Sequence, residues 1–186
     1  MAEKHKFKSD YVVTEITKRG FRGTKQKKEL IYKGNYYSIK SETIKIRHLK
    51  WTFFILVCMI AAIFLGIGVL NNEGSRKLYV ILPYVFMFLP IFYGFIGTFK
   101  LLHANLKMTH IEYEHTVERI KKSSLSLIII AITTMIGQII FLIRNHVTNV
   151  RSLDYAFLSG VLMIGLLALI LLQLQSKYEV MEEPGT

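Results

Sequence analysis

Four stretches of this chain are apolar from end to end: 51–70, 78–99, 125–143 and 155–174. Each is about 20 residues long, the length a helix needs to cross roughly 30 Å of hydrocarbon, and none contains Lys, Arg, Asp, Glu or His. In hydrocarbon every backbone N–H and C=O must be satisfied internally, so runs of this kind fold as helices. Helices of a soluble bundle would each need a polar stripe facing water, and no run has a continuous one. With 52% hydrophobic residues and a mean hydropathy of +0.36 over 186 residues, the chain is too apolar for an ordinary soluble domain. The sequence therefore predicts an all-α integral membrane protein whose four transmembrane helices form a bundle over 51–174. The first run starts at Trp51, behind a long, mostly polar segment that lacks a small-residue cleavage site, and so reads as an anchor rather than a signal peptide.

The basic residues set the expected orientation. Residues 1–50 hold fourteen Lys and Arg, 71–77 two, 100–124 five, 144–154 two and the tail 175–186 one. Four spans put both termini on one side, which gives that side twenty basic residues and the other four. Because cytoplasmic loops retain Lys and Arg, both termini are predicted to be cytoplasmic in a multi-pass protein of the cell membrane. Trp51 and Tyr178 then fall at the inner boundary, Tyr79 and Tyr155 at the outer one.

Most of the net charge of +11 sits in residues 1–50. It would face a leaflet rich in anionic lipid, with Lys25, Lys27 and Lys28 against the head groups. The stretch KRGFRGTKQKK at 18–28 also has the Arg-Gly and aromatic interleaving of single-stranded RNA binders. A basic segment ahead of a first span is the ordinary topology signal, however, so nucleic acid ranks well below the bilayer as a partner.

Within this segment, ELIYKGNYYSIK at 29–40 brackets a Lys33-Gly34-Asn35 turn with β-prone residues and predicts a hairpin; YVVTEIT at 11–17 suggests a further strand. An isolated hairpin is marginal in water. It would need the bilayer, the 100–124 segment or another protein to hold it, with Tyr32, Tyr36 and Tyr37 as contact residues.

Residues 100–124 lack Gly and Pro and are predicted to connect spans two and three as a helix. HANLKMTHIEYEH at 103–115 is rich in His and Glu, yet on a helix His103 and His110 would lie roughly 10 Å apart along the axis. Only His110 and Glu114 could meet on one ion, short of the three or four ligands a zinc site needs, so no metal site is expected. Cys58 is the one cysteine, which leaves no disulfide and no CxxC pair.

The four runs carry no ionisable group at depth, which argues against proton- or ion-coupled pumping. Their polar residues more often bond between helices than line a path. In span three Ala131, Thr134 and Gln138 share one face and Ser126, Thr133 and Gly137 a neighbouring one, so a broad part of it should face protein. In span two Pro83, Pro90, Gly94 and Gly97 fall within one narrow face. That face suits a hinge, a groove or, as the favoured reading, packing against Ala62, Gly66 and Gly68 of span one.

No nucleophile-elbow, phosphate-loop, dinucleotide or HExxH pattern occurs, so neither an enzyme nor a cofactor is expected. The leading expectation is an accessory, assembly or scaffold subunit that binds another membrane protein, or itself as a homo-oligomer, through span two and the N-terminal segment. A small oligomeric channel or transporter for an uncharged or lipophilic solute ranks second. A polar-lined cavity at mid-span would favour transport. A filled bundle with an apolar outer groove would favour the accessory role.

Overall fold

The computed structural model describes residues 11–20, 23–32, 36–39, 43–104, 107–145, 152–176 and 180–183. Helices dominate: α1 (Thr43–Gly68), α2 (Leu78–Phe86), α3 (Phe88–His103), α4 (His110–Tyr113), α5 (Arg119–Asn145) and α6 (Ser152–Ser176). A π-helical turn, Glu114–Glu118, joins α4 to α5. Five short strands accompany them: β1 (Tyr11–Gly20), β2 (Gly23–Tyr32), β3 (Tyr36–Ile39), β4 (Lys107–Thr109) and β5 (Val180–Glu183). Helices fill the apolar part of the chain as expected, and strands lie in the segments flanking it, of which the sequence predicts only those ahead of span one.

Four helical stretches, Arg47–Gly68, Leu78–His103, His110–Arg144 and Ser152–Ser176, are long and apolar enough to cross a membrane. They cover the four apolar runs apart from residues 69–70, and each extends past its run at one end or both. The third, at 35 residues, is about 50 Å long, well beyond the hydrocarbon thickness. Helix α1 packs on α3 and α6, while α5 packs on α2, α3 and α6. Along α6 the buried positions Asp154, Phe157, Val161, Ile164, Ala168 and Leu171 recur every three or four residues and form one stripe toward the interior. The outward positions are just as apolar: Leu65, Phe92, Ile129, Ile143 and Leu166 are all more than half exposed. An apolar interior inside an apolar exterior is the distribution that hydrocarbon, not water, permits.

The two ends of the bundle differ. At one end β3 lies between β4 and β5, both antiparallel to it, so the segment before span one, the connection between spans two and three and the tail share one sheet. At the other end the 71–77 connection meets the start of α6: Gly74 N–H donates to Asp154 Oδ1 at 2.9 Å. Gln138 Nε2 donates to the Asp154 carbonyl at 3.2 Å.

The hairpin lies elsewhere than the sequence suggested. β2 pairs with β1 in a register that sets Gly20 opposite Gly23, while β3 joins the other sheet. The expected Lys33-Gly34-Asn35 turn is outside the described residues. Residues 31–32 and 36–37 are both β-prone, yet each gains a different partner, and with two partners β3 satisfies both of its edges.

The helix expected over 100–124 is interrupted as well. α3 ends at His103, with Ala104 extended, and the chain runs through β4 before helix resumes at His110. Thr109 forms a capping box: its side chain accepts from Glu112 N–H while Glu112 accepts from Thr109 N–H at 3.0 Å. This reciprocal pair starts a new helix where periodicity suggested continuation. His103 therefore does not share one continuous helix with His110 and Glu114.

Candidate functional site

The second span is two helices because Pro90 has no N–H to offer the carbonyl four residues before it. The break falls at Met87, whose N–H reaches the Pro83 and Tyr84 carbonyls at 3.2 and 3.0 Å before α3 sets off. Across the break a groove of about 620 Å³ lies between this span and α5, open to the outside of the bundle. Pro83, Phe86, Leu89 and Phe92 form one wall, with Ser126, Ile130 and Thr133 of α5 on the other. Lys122 and Tyr93 also line it, and the Arg119 guanidinium lies 4.5 Å from the centre of the Tyr93 ring as a cation–π pair.

Beyond the groove the two spans close tightly. Pro90, Gly94 and Gly97 are buried. The Ser123 hydroxyl donates to the Pro90 carbonyl at 2.6 Å. A Cβ at Gly94 would stand 2.6 Å from Ser123 Oγ, and one at Gly97 would stand 3.1 Å from Ile120 Cγ1. The small face of span two thus packs on span three rather than on span one. Of the expected partners in span one, Ala62 is exposed, Gly66 has no neighbour within 4 Å of a built Cβ, and Gly68 faces the Tyr84 hydroxyl. Tyr84 explains this: buried, stacked on Phe64 at 4.8 Å and donating to the Phe64 carbonyl, it fills the space between spans one and two.

Span three divides along its faces. Ala131, Thr134, Gly137 and Gln138 are buried, whereas Ser126 and Thr133 are exposed and line the groove. Thr134 donates back to the Ile130 carbonyl at 2.8 Å, which satisfies its hydroxyl without a partner helix. Gln138 lies away from the groove in a buried polar cluster with Asn72, Gly74 and Asp154, where Gln138 Oε1 and Asp154 Oδ2 have no hydrogen-bond partner among the described residues. Asp154 went unnoticed in the sequence because it stands one residue outside the apolar run. Its place in the first turn of α6 was the available signal.

Among the N-terminal candidates, Lys25, Lys27, Lys28 and Tyr32 lie on β2 and Tyr36 on β3; their side chains are outside the described residues. Tyr37 is stacked on Tyr113 with ring centres 4.7 Å apart and meets the edge of His110 at 5.4 Å, so it holds the sheet against the start of span three. Among the described residues no three His, Cys, Asp or Glu converge as a metal site would require. Glu112 is engaged as a cap, and His115 lies 3.3 Å from the Arg119 guanidinium. Compared with known proteins, the chain matches no family model, no curated protein and no solved structure.

Proposed function

We propose that this is a multi-pass protein of the cell membrane, with both termini cytoplasmic, acting as an accessory, assembly or scaffold subunit. In this reading the groove between spans two and three receives a helix of another membrane protein or of a second copy. The observation that carries it is the groove itself: apolar, open to the outside, and set on a bundle whose centre is filled. The cavity between Val57, Ile91, Ser124 and Leu171 amounts to about 10 Å³, the room of a single water at most. A solute path between spans two and three would need polar lining at that depth, so transport ranks second.

The topology has separate support. The shared sheet gathers the segments that hold twenty of the basic residues at one end, and the 71–77 connection meets α6 at the other. Attraction of basic segments to the inner leaflet places the sheet end in the cytoplasm.

The test is purification in mild detergent from the native membrane, comparing wild type with Ser126→Trp, whose indole would fill the groove from an exposed position. Wild type should bring down a membrane protein in fixed stoichiometry, or run as an oligomer, and Ser126→Trp should lose that species while remaining folded. An unchanged profile in the variant would remove the groove from the account.

A further inference from the structure

A second cavity, of about 560 Å³, opens at the sheet end of the bundle and touches all four spans. Its walls are mostly hydrocarbon, from Phe53 of α1, Leu101 of α3, Leu125 of α5 and Leu172 of α6. Two lysines, Lys50 and Lys121, stand among them. Lys50 is only 9% exposed, and its ammonium donates to the Ala104 carbonyl. Among the described residues no carboxylate pairs with it. An ammonium has three protons to donate, so a buried one with a single acceptor is an incomplete arrangement.

A further polar atom is unmatched here. Gln175 Nε2 donates to the Val117 carbonyl, while its Oε1 is buried without a partner among the described residues. The cavity therefore offers a cation with spare protons, an acceptor with none, and an apolar chamber of ligand-binding size. A chloride or free phosphate would answer the lysine and leave the hydrocarbon wall unexplained. A neutral lipid would do the reverse.

We propose that this cavity holds one anionic phospholipid of the surrounding bilayer. An acyl chain lies against Phe53, Leu101 and Leu172, the phosphate meets Lys50 and Lys121, and a hydroxyl of the head group donates to Gln175. This rests on the membrane-spanning reading and is independent of what the outer groove binds. Depth favours a bilayer lipid over a soluble metabolite: Lys50 is the last residue before the first apolar run and Leu125 the first of the third, so the cavity straddles the boundary where head groups lie. Lys50 is accordingly a binding residue.

The experiment uses the full-length protein, delipidated in a non-ionic detergent and titrated with dioleoylphosphatidylglycerol or dioleoylphosphatidylcholine, with bound lipid counted by native mass spectrometry. One phosphatidylglycerol per chain should be retained at least about ten-fold more tightly than phosphatidylcholine, whose choline cation offsets the phosphate charge beside the lysines and offers no hydroxyl to Gln175. Lys50→Gln should abolish the preference and Lys50→Arg should keep it. Leu125→Trp, which fills the chamber from an exposed position and leaves both lysines in place, should lose the lipid. Ser126→Trp in the outer groove should retain it. Equal retention of the two lipids, or an unchanged preference in both Lys50→Gln and Leu125→Trp, would overturn the assignment. Recovery of each variant in the alkali-resistant membrane fraction reports separately on whether the chain is inserted at all.

Discussion

Ser123 donates its hydroxyl proton to the Pro90 carbonyl at 2.6 Å, joining spans two and three just where Gly94 lets them touch. The helix break, the absent side chain and the serine work as one unit. Pro90 breaks the span, Gly94 admits the serine, and the groove lies beside that contact.

Gly94→Ala should therefore destabilise the bundle by about 1–3 kcal/mol, the usual effect of forcing one methyl into a filled site. Ser123→Ala alone should lose well under about 1 kcal/mol, as interhelical hydrogen bonds in membranes typically do. In the double variant the added methyl meets no hydroxyl, so its penalty should shrink. A double-mutant cycle from thermal unfolding in detergent measures the coupling, and strict additivity would show that the two residues do not share a contact.

At the opposite end, Asp154 holds the 71–77 connection by accepting from Gly74 N–H at 2.9 Å. Asp154→Ala would leave a buried donor unsatisfied and should lower stability by about 1–3 kcal/mol. Asp154→Asn keeps an acceptor in place and should lose less. Equal losses in the two variants, measured by thermal unfolding, would mean that the negative charge and not the hydrogen bond is what matters.

Thr109→Ala removes one half of the capping box and should weaken the start of span three by about 1 kcal/mol. Amide exchange at Glu112 should rise while exchange in the centre of α5 stays protected. Uniform exchange changes along the whole span would contradict a local cap.

The proposed orientation predicts that cysteines placed at Asn71 or Lys77, both exposed, react with an impermeant thiol reagent added to intact cells, and that ones at Ser9 or Thr186 do not. The reversed pattern would invert the topology. Asn72, although in the same connection, is unsuitable because it is fully buried.

The positions of the four spanning helices were legible in the sequence because hydrocarbon imposes one rule on every residue of a run, and 51–70 or 155–174 obeys it without exception. Which helix meets which was not. The face of Pro83, Pro90, Gly94 and Gly97 stands out in the sequence, but small residues on span one offer an equally good partner, and only the bulk of Tyr84 between spans one and two decides against them. The strands were harder still. Tyr36–Ile39 pairs with residues some 70 and 140 positions away, and local propensity carries no information about such partners. Thr109 and Glu112, by contrast, form a T-x-x-E capping signature that was present to be read and was outweighed by the absence of Gly and Pro nearby. Lys50 and Asp154 each stand one residue outside an apolar run, where a count of charges within runs does not reach.

In the proposed function the groove beside the second span is occupied by another membrane helix. That occupancy is tested most directly by placing a photo-crosslinking amino acid at Phe92, in the groove, and at Leu65, exposed on α1, and irradiating native membranes. Phe92 should give one discrete crosslinked product, either to a single partner or at twice the mass of the chain, that is lost in Ser126→Trp, while Leu65 gives none. Equal crosslinking at the two positions, or crosslinks from Phe92 to lipid alone, would contradict the account.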